Sequence, residues 1–242
     1  MLQNDNILKM KFDQELTHGQ LIKRYKRFLA DVNLDDGSEV TAHCTNSGSM
    51  KTCLEPGAEV YLNPVNDPKR KTKFTWEMIK INGQWVGINT NHPNLLAYEA
   101  IRSGQVPALK GYDEVKREVK FQDSRFDVMA KNDKETCFIE VKNVTMKDGE
   151  FALFPDAKTE RGRKHLETLI RVKEEGMRAV MFYVVQRMDV SKAGPATEID
   201  PNYANTLRKA MNSGVEVIAM QAHVSPEGIN LIKELPFEWP DT

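Results

Sequence analysis

From Leu8 to Ile88 short apolar runs alternate with Gly, Asp, Asn and Pro signals, which predicts strands over Gln20 to Val32, Glu39 to His43, Glu59 to Leu62, Lys71 to Ile81 and Gln84 to Ile88. The dipeptide Asn82-Gly83, set between Met78–Ile81 and Trp85–Ile88, is the strongest hairpin signal in the chain. Many short strands at this spacing form a small barrel or sandwich, and an OB-like β-barrel over residues 1–88 is the first choice. The pattern changes at Asn89-Thr90-Asn91-His92-Pro93. Leu95, Leu96, Ala100 and Ile101 then recur at helical spacing within Asn94 to Ser103, and Gly104 supplies a stop. Strands follow over Val115 to Phe121, Arg125 to Ala130 and Thr136 to Val144, then a helix over Thr159 to Glu175 ending at Gly176. Beyond it come a continuous apolar strand over Ala179 to Gln186, a helix over Pro201 to Asn212 and a buried strand over Val215 to Met220. The order α-β-β-β-α-β-α-β makes residues 89–242 a mixed α/β domain, so the chain as a whole is α/β in class, α+β overall.

Charge interrupts this pattern at one place. Ser124-Arg125-Phe126-Asp127 and Phe138-Ile139-Glu140-Val141-Lys142 put two carboxylates and an ammonium inside otherwise apolar strands. Side chains alternate along a strand, so Phe138, Glu140 and Lys142 share one side while Ile139, Val141 and Asn143 share the other. The polar loop Lys131 to Glu135 joins the two runs as a hairpin, and antiparallel pairing brings Asp127 near Glu140. Burying these charges costs several kcal/mol unless a partner or a metal compensates them. Two accounts satisfy that requirement: structural ion pairs, Glu140 with Lys142 or Asp127 with Arg125, or the layout of a metal-dependent phosphodiesterase.

With 242 residues and 40% hydrophobic content, the chain supports one large domain or two small ones. No apolar stretch reaches the roughly 18 residues of a membrane span, and Met1–Asn6 lacks a charged-then-apolar leader pattern. A cytoplasmic protein with no membrane partner is expected. Cys44, Cys53 and Cys137 are odd in number and lack zinc-site spacing, which predicts reduced, packed thiols. The net charge of −1 offers no global attraction to nucleic acid, but cations cluster at Lys23, Arg24, Lys26 and Arg27 and again at Lys69, Arg70, Lys71 and Lys73. Tyr25 and Phe28 interleave with the first cluster. That combination suits a nucleic-acid surface offering stacking and charge, or else a solvated edge strand guarded against aggregation.

Several segments together resemble the sugar fermentation stimulation protein A family: Gly19–Phe28, Ala42–Met50, Ser124–Asp127, Glu140–Thr145 and Phe154–Leu166. They occur in order along most of the chain. Thr45 and Ser47 depart from the Pro and Thr usual there, a mild change in a turn that leaves the acidic site intact. The resemblance implies an N-terminal OB-like domain joined to a restriction-endonuclease-like domain of the PD-(D/E)xK type. It also implies DNA binding without strong sequence preference and a link to control of sugar, notably maltose, utilisation. Carried over by position, Asp127, Glu140 and Lys142 take the D, D/E and K places, and Glu99 falls where many such nucleases carry an auxiliary acid. Mg²⁺ or Mn²⁺ is the implied cofactor. An octahedral ion that keeps several waters needs only the two carboxylates and a backbone carbonyl, most naturally that of Val141. Lys142 would orient a water or neutralise charge developing on the phosphate.

The helix from Thr159 adds a second constellation. At 100° per residue Leu166, Leu169, Ile170 and the stem of Lys173 form one stripe, leaving Arg161, Lys164, His165 and Thr168 on the opposite side. Such a face is either solvated or, next to the acidic pair, a set of phosphate contacts. Three functions are therefore in play: a DNA-binding regulator with a nuclease-like core, an active Mg²⁺-dependent nuclease, and a helix-turn-helix repressor using Pro201 to Asn212. The last is weakest, because that helix opens on Asp200-Pro201 and leads through Gly214 into a buried strand, as a βαβ crossover does.

Overall fold

The computed structural model describes residues 9–240, so the reading of Met1–Asn6 lies outside the described residues. Five strands close a barrel: β1 (Thr17–Tyr25), β2 (Leu29–Leu34), β3 (Glu39–His43), β4 (Glu59–Pro64) and β5 (Phe74–Ile81). Their order is β3-β2-β1-β4-β5, and a parallel contact between β3 and β5 completes the ring. Leu21, Val32, Leu62, Trp76 and Ile79 fill the interior. Asn82 and Gly83, both at positive φ, turn β5 into β6 (Gln84–Gly87). The run expected as one strand from Gln20 to Val32 is instead a hairpin, because Lys26 (φ 50°) and Arg27 (φ 66°) adopt left-handed backbone and reverse the chain. No Gly, Asn or Pro announces that turn.

After the barrel come α1 (His92–Arg102), β7 (Glu114–Phe121), β8 (Ser124–Lys131), β9 (Thr136–Val144), β10 (Met146–Asp148), β11 (Phe151–Phe154) and α2 (Glu160–Glu174). They are followed by β12 (Arg178–Val185), β13 (Lys192–Pro195), α3 (Pro201–Asn212), β14 (Glu216–Ser225) and β15 (Gly228–Glu234). One sheet runs β15-β14-β12-β9-β8-β7, and β10, β11 and β13 form a small second sheet. β12 pairs in parallel with both β9 and β14, and α3 lies on the crossover into β14, so it is the crossover helix and not half of a recognition pair. The expected OB-like barrel followed by a mixed α/β domain is what the chain forms.

The sheet has a core on each side. Ile139 and Val141 of β9 pack with Leu96 and Ala100 of α1, while Phe138 packs with Leu166 and Leu169 of α2. Alternation along one strand thus fastens helices to both faces. All three cysteines are free and buried, and burial pushes the thiols of Cys53 and Cys137 up to about 12.

Barrel and sheet are joined by polar contacts. The Gly87 N–H donates to the Gln186 carbonyl at 2.9 Å, and a β-carbon on Gly87 would lie 2.3 Å from the Gln186 side-chain oxygen. Fully buried Arg187 forks onto Asp189 and donates to the carbonyl of Thr145 at 2.6 Å and to the Thr52 hydroxyl of the barrel at 3.3 Å. Removing one partner of such a pair strands the other charge. Arg187→Met is expected to lower unfolding free energy by about 3–5 kcal/mol in urea denaturation, with the double variant Arg187→Met, Asp189→Leu recovering part of that loss; equal stability of wild type and Arg187→Met would assign the weld to apolar packing.

Candidate metal centre

Asp127 and Glu140 meet where two strands part. The β8–β9 ladder runs from Lys131↔Thr136 to Val128↔Ile139 and goes no further toward Asp127. The Val141 N–H, which a continued ladder would give to the β8 backbone, donates instead to Asp127 Oδ2 at 2.8 Å. On the other side β7 pairs Arg117 with Val128 and Val119 with Phe126, and Glu118 between them sits at φ 55° opposite Asp127. The second carboxylate oxygen accepts from Asn94 of α1 at 2.6 Å. Desolvation and then the Glu140 charge push the Asp127 carboxyl up to about 6, against the opposing pull of the Val141 N–H and Lys142.

Glu140 is buried and answers to two partners. Its Oε1 accepts from Lys142 Nζ at 2.5 Å and is in close contact with His165 Nδ1, which also lies 3.0 Å from Lys142 Nζ. Burial drives this carboxyl upward, but Lys142 and His165 outweigh it and hold it below its ordinary value. The two acids are thus pushed apart in basicity by their surroundings, as is common where one site must hold two carboxylates. His165 reaches the pair because Thr159 caps α2, accepting from the Gly162 N–H at 3.0 Å, and so aims the first turns of the helix at β9.

These groups line a cavity of about 450 Å³ between barrel and sheet. Its cationic lining comes from Arg27, Lys142, Lys158 and Arg161. Asp156, unassigned by sequence reasoning, also lines it and accepts from the Met50 N–H at 3.2 Å. Its carboxylate lies against Gly48, where a β-carbon would approach within 2.2 Å, so this turn glycine admits an acid rather than cradling a phosphate. Both Asn94 and Asp156 stood in segments already singled out, as a helix start and a family match, but neither belonged to a spacing pattern.

Other expected residues fall elsewhere. Glu99 is not in the cavity; it pairs with Arg102 at 2.6 Å, because five residues on a helix rotate it about 140° from Asn94, the α1 residue that does reach Asp127. Of the first basic cluster, Arg27 lines the cavity. Arg24 directs its guanidinium to the carbonyls of Arg27, Asn46 and Gly48 at 2.8–3.0 Å, and Lys23 pairs with Asp31 at 3.6 Å. Lys26 sits across the turn from Arg27 and outside this cavity. On α2, Arg161 and His165 enter the cavity and Lys164 is exposed outside it. Thr168 is not on a solvated face: it is buried, 3.3 Å from the Ser124 hydroxyl and 2.9 Å from Arg171, because the start of β8 packs there.

The donor set suits a hard divalent cation. Two carboxylates face one cavity, and Glu140 raises the proton affinity of Asp127, a repulsion that a cation between them would remove. Among the described residues no group of three or more His, Cys, Asp or Glu side chains forms a metal cluster, so the rest of a coordination shell would come from water and backbone.

Residues 22–88 match the family model described as the SfsA N-terminal OB domain, and residues 91–228 match the Sugar fermentation stimulation protein RE domain. A sugar fermentation stimulation protein homolog of Pelobacter propionicus is 52% identical over 222 residues, 91% of this chain and 96% of that protein. The homolog of Geobacter sulfurreducens is 50% identical over 228 residues, 94% of this chain and 98% of its own. The solved structure of Pyrococcus furiosus SfsA in complex with Ca²⁺ has a TM-score of 0.86 at 28% identity, covering 96% of this chain and 99% of that one. With barrel, mixed sheet and relatives all aligned over nearly their full lengths, this chain belongs to the sugar fermentation stimulation protein family.

Proposed function

We propose that the chain binds DNA without reading its base sequence and that the cavity is a Mg²⁺ or Mn²⁺ site at which the bound backbone is cut. One observation carries this reading: Asp127, Glu140 and Lys142 share a cavity whose remaining wall includes Arg27, Lys158 and Arg161. Asp127, Glu140 and a backbone carbonyl of Val141 would hold the ion. A divalent cation supplies Lewis acidity to the phosphoryl oxygen and lowers the pKa of a bound water. Lys142 places its ammonium beside Glu140, where it offsets negative charge on a phosphate drawn into the cavity. His165 fixes both Glu140 and Lys142 from α2, acting as a positioning residue. Arg27, Lys158 and Arg161 supply charge for neighbouring phosphates, which carry no sequence information. The Ca²⁺ complex of the Pyrococcus furiosus relative supports a cation of this kind.

A second reading, a DNA-binding regulator of sugar use without turnover, is favoured by Glu140 already being balanced by Lys142 and His165 inside the protein.

Incubation of purified protein with plasmid and Mg²⁺ or Mn²⁺ separates the two. Cleavage that falls by roughly a hundredfold or more in Lys142→Met, with DNA affinity in chelator kept near wild type, supports the nuclease. Wild-type protein that binds DNA but cuts none with either metal establishes the binder.

The ion itself is tested by pH. Asp127 has a folded-state value of about 6 against 3.8 for the free side chain, so between these values the native state holds the extra proton and stability falls as pH rises. Above that window the ionised pair carries the full penalty, which a divalent cation relieves. The rise in Tm on adding Mg²⁺ is therefore expected to be large at about pH 7.5, small at about pH 5 and lost in Asp127→Asn; a rise independent of pH and of Asp127 would move the ion to another site.

A further inference from the structure

Beside the metal cavity the barrel opens a larger groove, of about 1010 Å³. Thr45 lines both spaces, and the turn between β1 and β2 divides them, with Arg27 on the metal side and Lys26 and Phe28 on the groove side. Phe28 is 49% exposed, one of two large apolar side chains so exposed among the described residues. The same groove is lined by the cations Lys26, Arg70 and Lys71, the last two from the second basic cluster of the sequence. Deeper in the groove lie Thr75, Asn89, His92 and the buried Glu77, whose carboxylate accepts from Asn89 at 3.0 Å and contacts His92 Nε2 at 2.6 Å.

The chemistry selects the occupant. Cations suit a phosphate backbone, an exposed ring suits the face of an unstacked base, and hydroxyl, amide and imidazole groups suit base edges. Duplex DNA keeps its base faces stacked away from such a ring, and an acidic peptide offers no succession of planar faces. The groove also includes Leu29 of β2 and Thr41 and His43 of β3, the barrel face that OB-folds use for oligonucleotides.

We propose that this groove seats an unpaired DNA strand that continues past Arg27 into the metal cavity, so that the substrate of the metal site carries a single-stranded arm. The assignment of the cavity to DNA cleavage is the reading given above; the seat for the arm rests on the groove itself. The dividing turn is built to stay in place. Arg24 holds it by donating to the Arg27 carbonyl at 2.8 Å while its other bonds fix Asn46 and Gly48 on the cavity wall.

Fluorescence anisotropy in chelator, so that nothing is cut, measures affinity for three labelled DNAs: a single strand of about 20 nucleotides, a blunt duplex, and a duplex with a single-stranded arm. Phe28 and Lys71 are both exposed, so Phe28→Ala and Lys71→Glu leave the core intact. Each is expected to weaken the single strand and the armed duplex by about tenfold while leaving the blunt duplex within about twofold. Equal weakening of all three DNAs, or none, overturns the proposal. Adding Mg²⁺ separates this idea from the cleavage reading. Phe28-dependent binding of the arm by a protein that cuts nothing keeps the groove and removes the nuclease. Cutting of blunt and armed duplex at equal rates, unchanged in Phe28→Ala, keeps the nuclease and removes the groove.

Discussion

Everything at the candidate site depends on two carboxylates confined where β8 and β9 stop pairing. A regular ladder would have given the Val141 N–H to a backbone carbonyl and left Asp127 to find solvent. Instead that N–H meets Asp127, Asn94 meets its other oxygen, and Lys142 and His165 meet Glu140. The acids differ because their partners differ. Asp127 receives hydrogen bonds from neutral donors and feels the Glu140 charge, so burial wins and its proton affinity rises; Glu140 has the ammonium at contact, so its proton affinity falls. A site in this state keeps one acid poised near neutrality beside one that stays ionised. That is the electrostatic condition under which a divalent ion gains most, since its charge answers a repulsion already present.

The second dependence is on the weld between barrel and sheet. Part of the cavity wall comes from the barrel, Thr45 to Gly48, and part from the α/β domain, Asp156 to Thr159 with Arg161 and His165. Their separation is fixed by contacts that cross the boundary: Met50 to Asp156, Thr90 to Thr45 at 3.0 Å, and Arg187 to Thr52. A hinge here would dissolve the cavity. The buried Glu77 carboxylate of β5, bonded to Asn89 and His92, makes the same link on the groove side. Met78 of β5, with Tyr61 and Trp85, also packs into the core beneath α1, so apolar burial holds the two domains together while these polar bonds, being directional, set the spacing of the charged groups.

Much of this was legible because it follows from period and punctuation. The period-2 pattern of Thr136 to Val144 predicts which side chains of β9 share a face, the structure setting α1 over one and α2 over the other, and Asn82-Gly83 predicts its hairpin. The errors have physical causes of their own. Glu99 was placed by its position in a family pattern, whereas the helix rotation puts Asn94 on Asp127. Thr168 looked solvated on a helical wheel because a wheel shows one packing partner, and α2 has several, the sheet core, α3 and the start of β8 among them. β10 and β11 are too short for alternation to show, although Asp148-Gly149 turns one into the other as a local hairpin, and β13 joins them from a distant segment that no local signal links to them. Asp156 acts through backbone brought from more than a hundred residues away, which spacing does not encode.

The most instructive miss is the turn at Lys26 and Arg27, read as continuous strand because it lacks every residue that favours left-handed backbone. Each such non-glycine conformation costs on the order of 1–3 kcal/mol and persists only where its surroundings over-determine it. Here the surroundings are explicit. One guanidinium, Arg24, accounts for three carbonyls, and charge-assisted bonds of that kind contribute roughly 1.5–3 kcal/mol each. The bond to the Arg27 carbonyl offsets strain in the turn directly, and the bonds to Asn46 and Gly48 anchor the guanidinium that makes it, so the turn is held without glycine. Glycine would have removed the strain and with it the side chains. The chain instead keeps a cation on each side of the divide, Lys26 over the groove and Arg27 over the cavity, and that retention of two charged side chains in a conformation that disfavours them ties the local strain to the electrostatics of the two spaces.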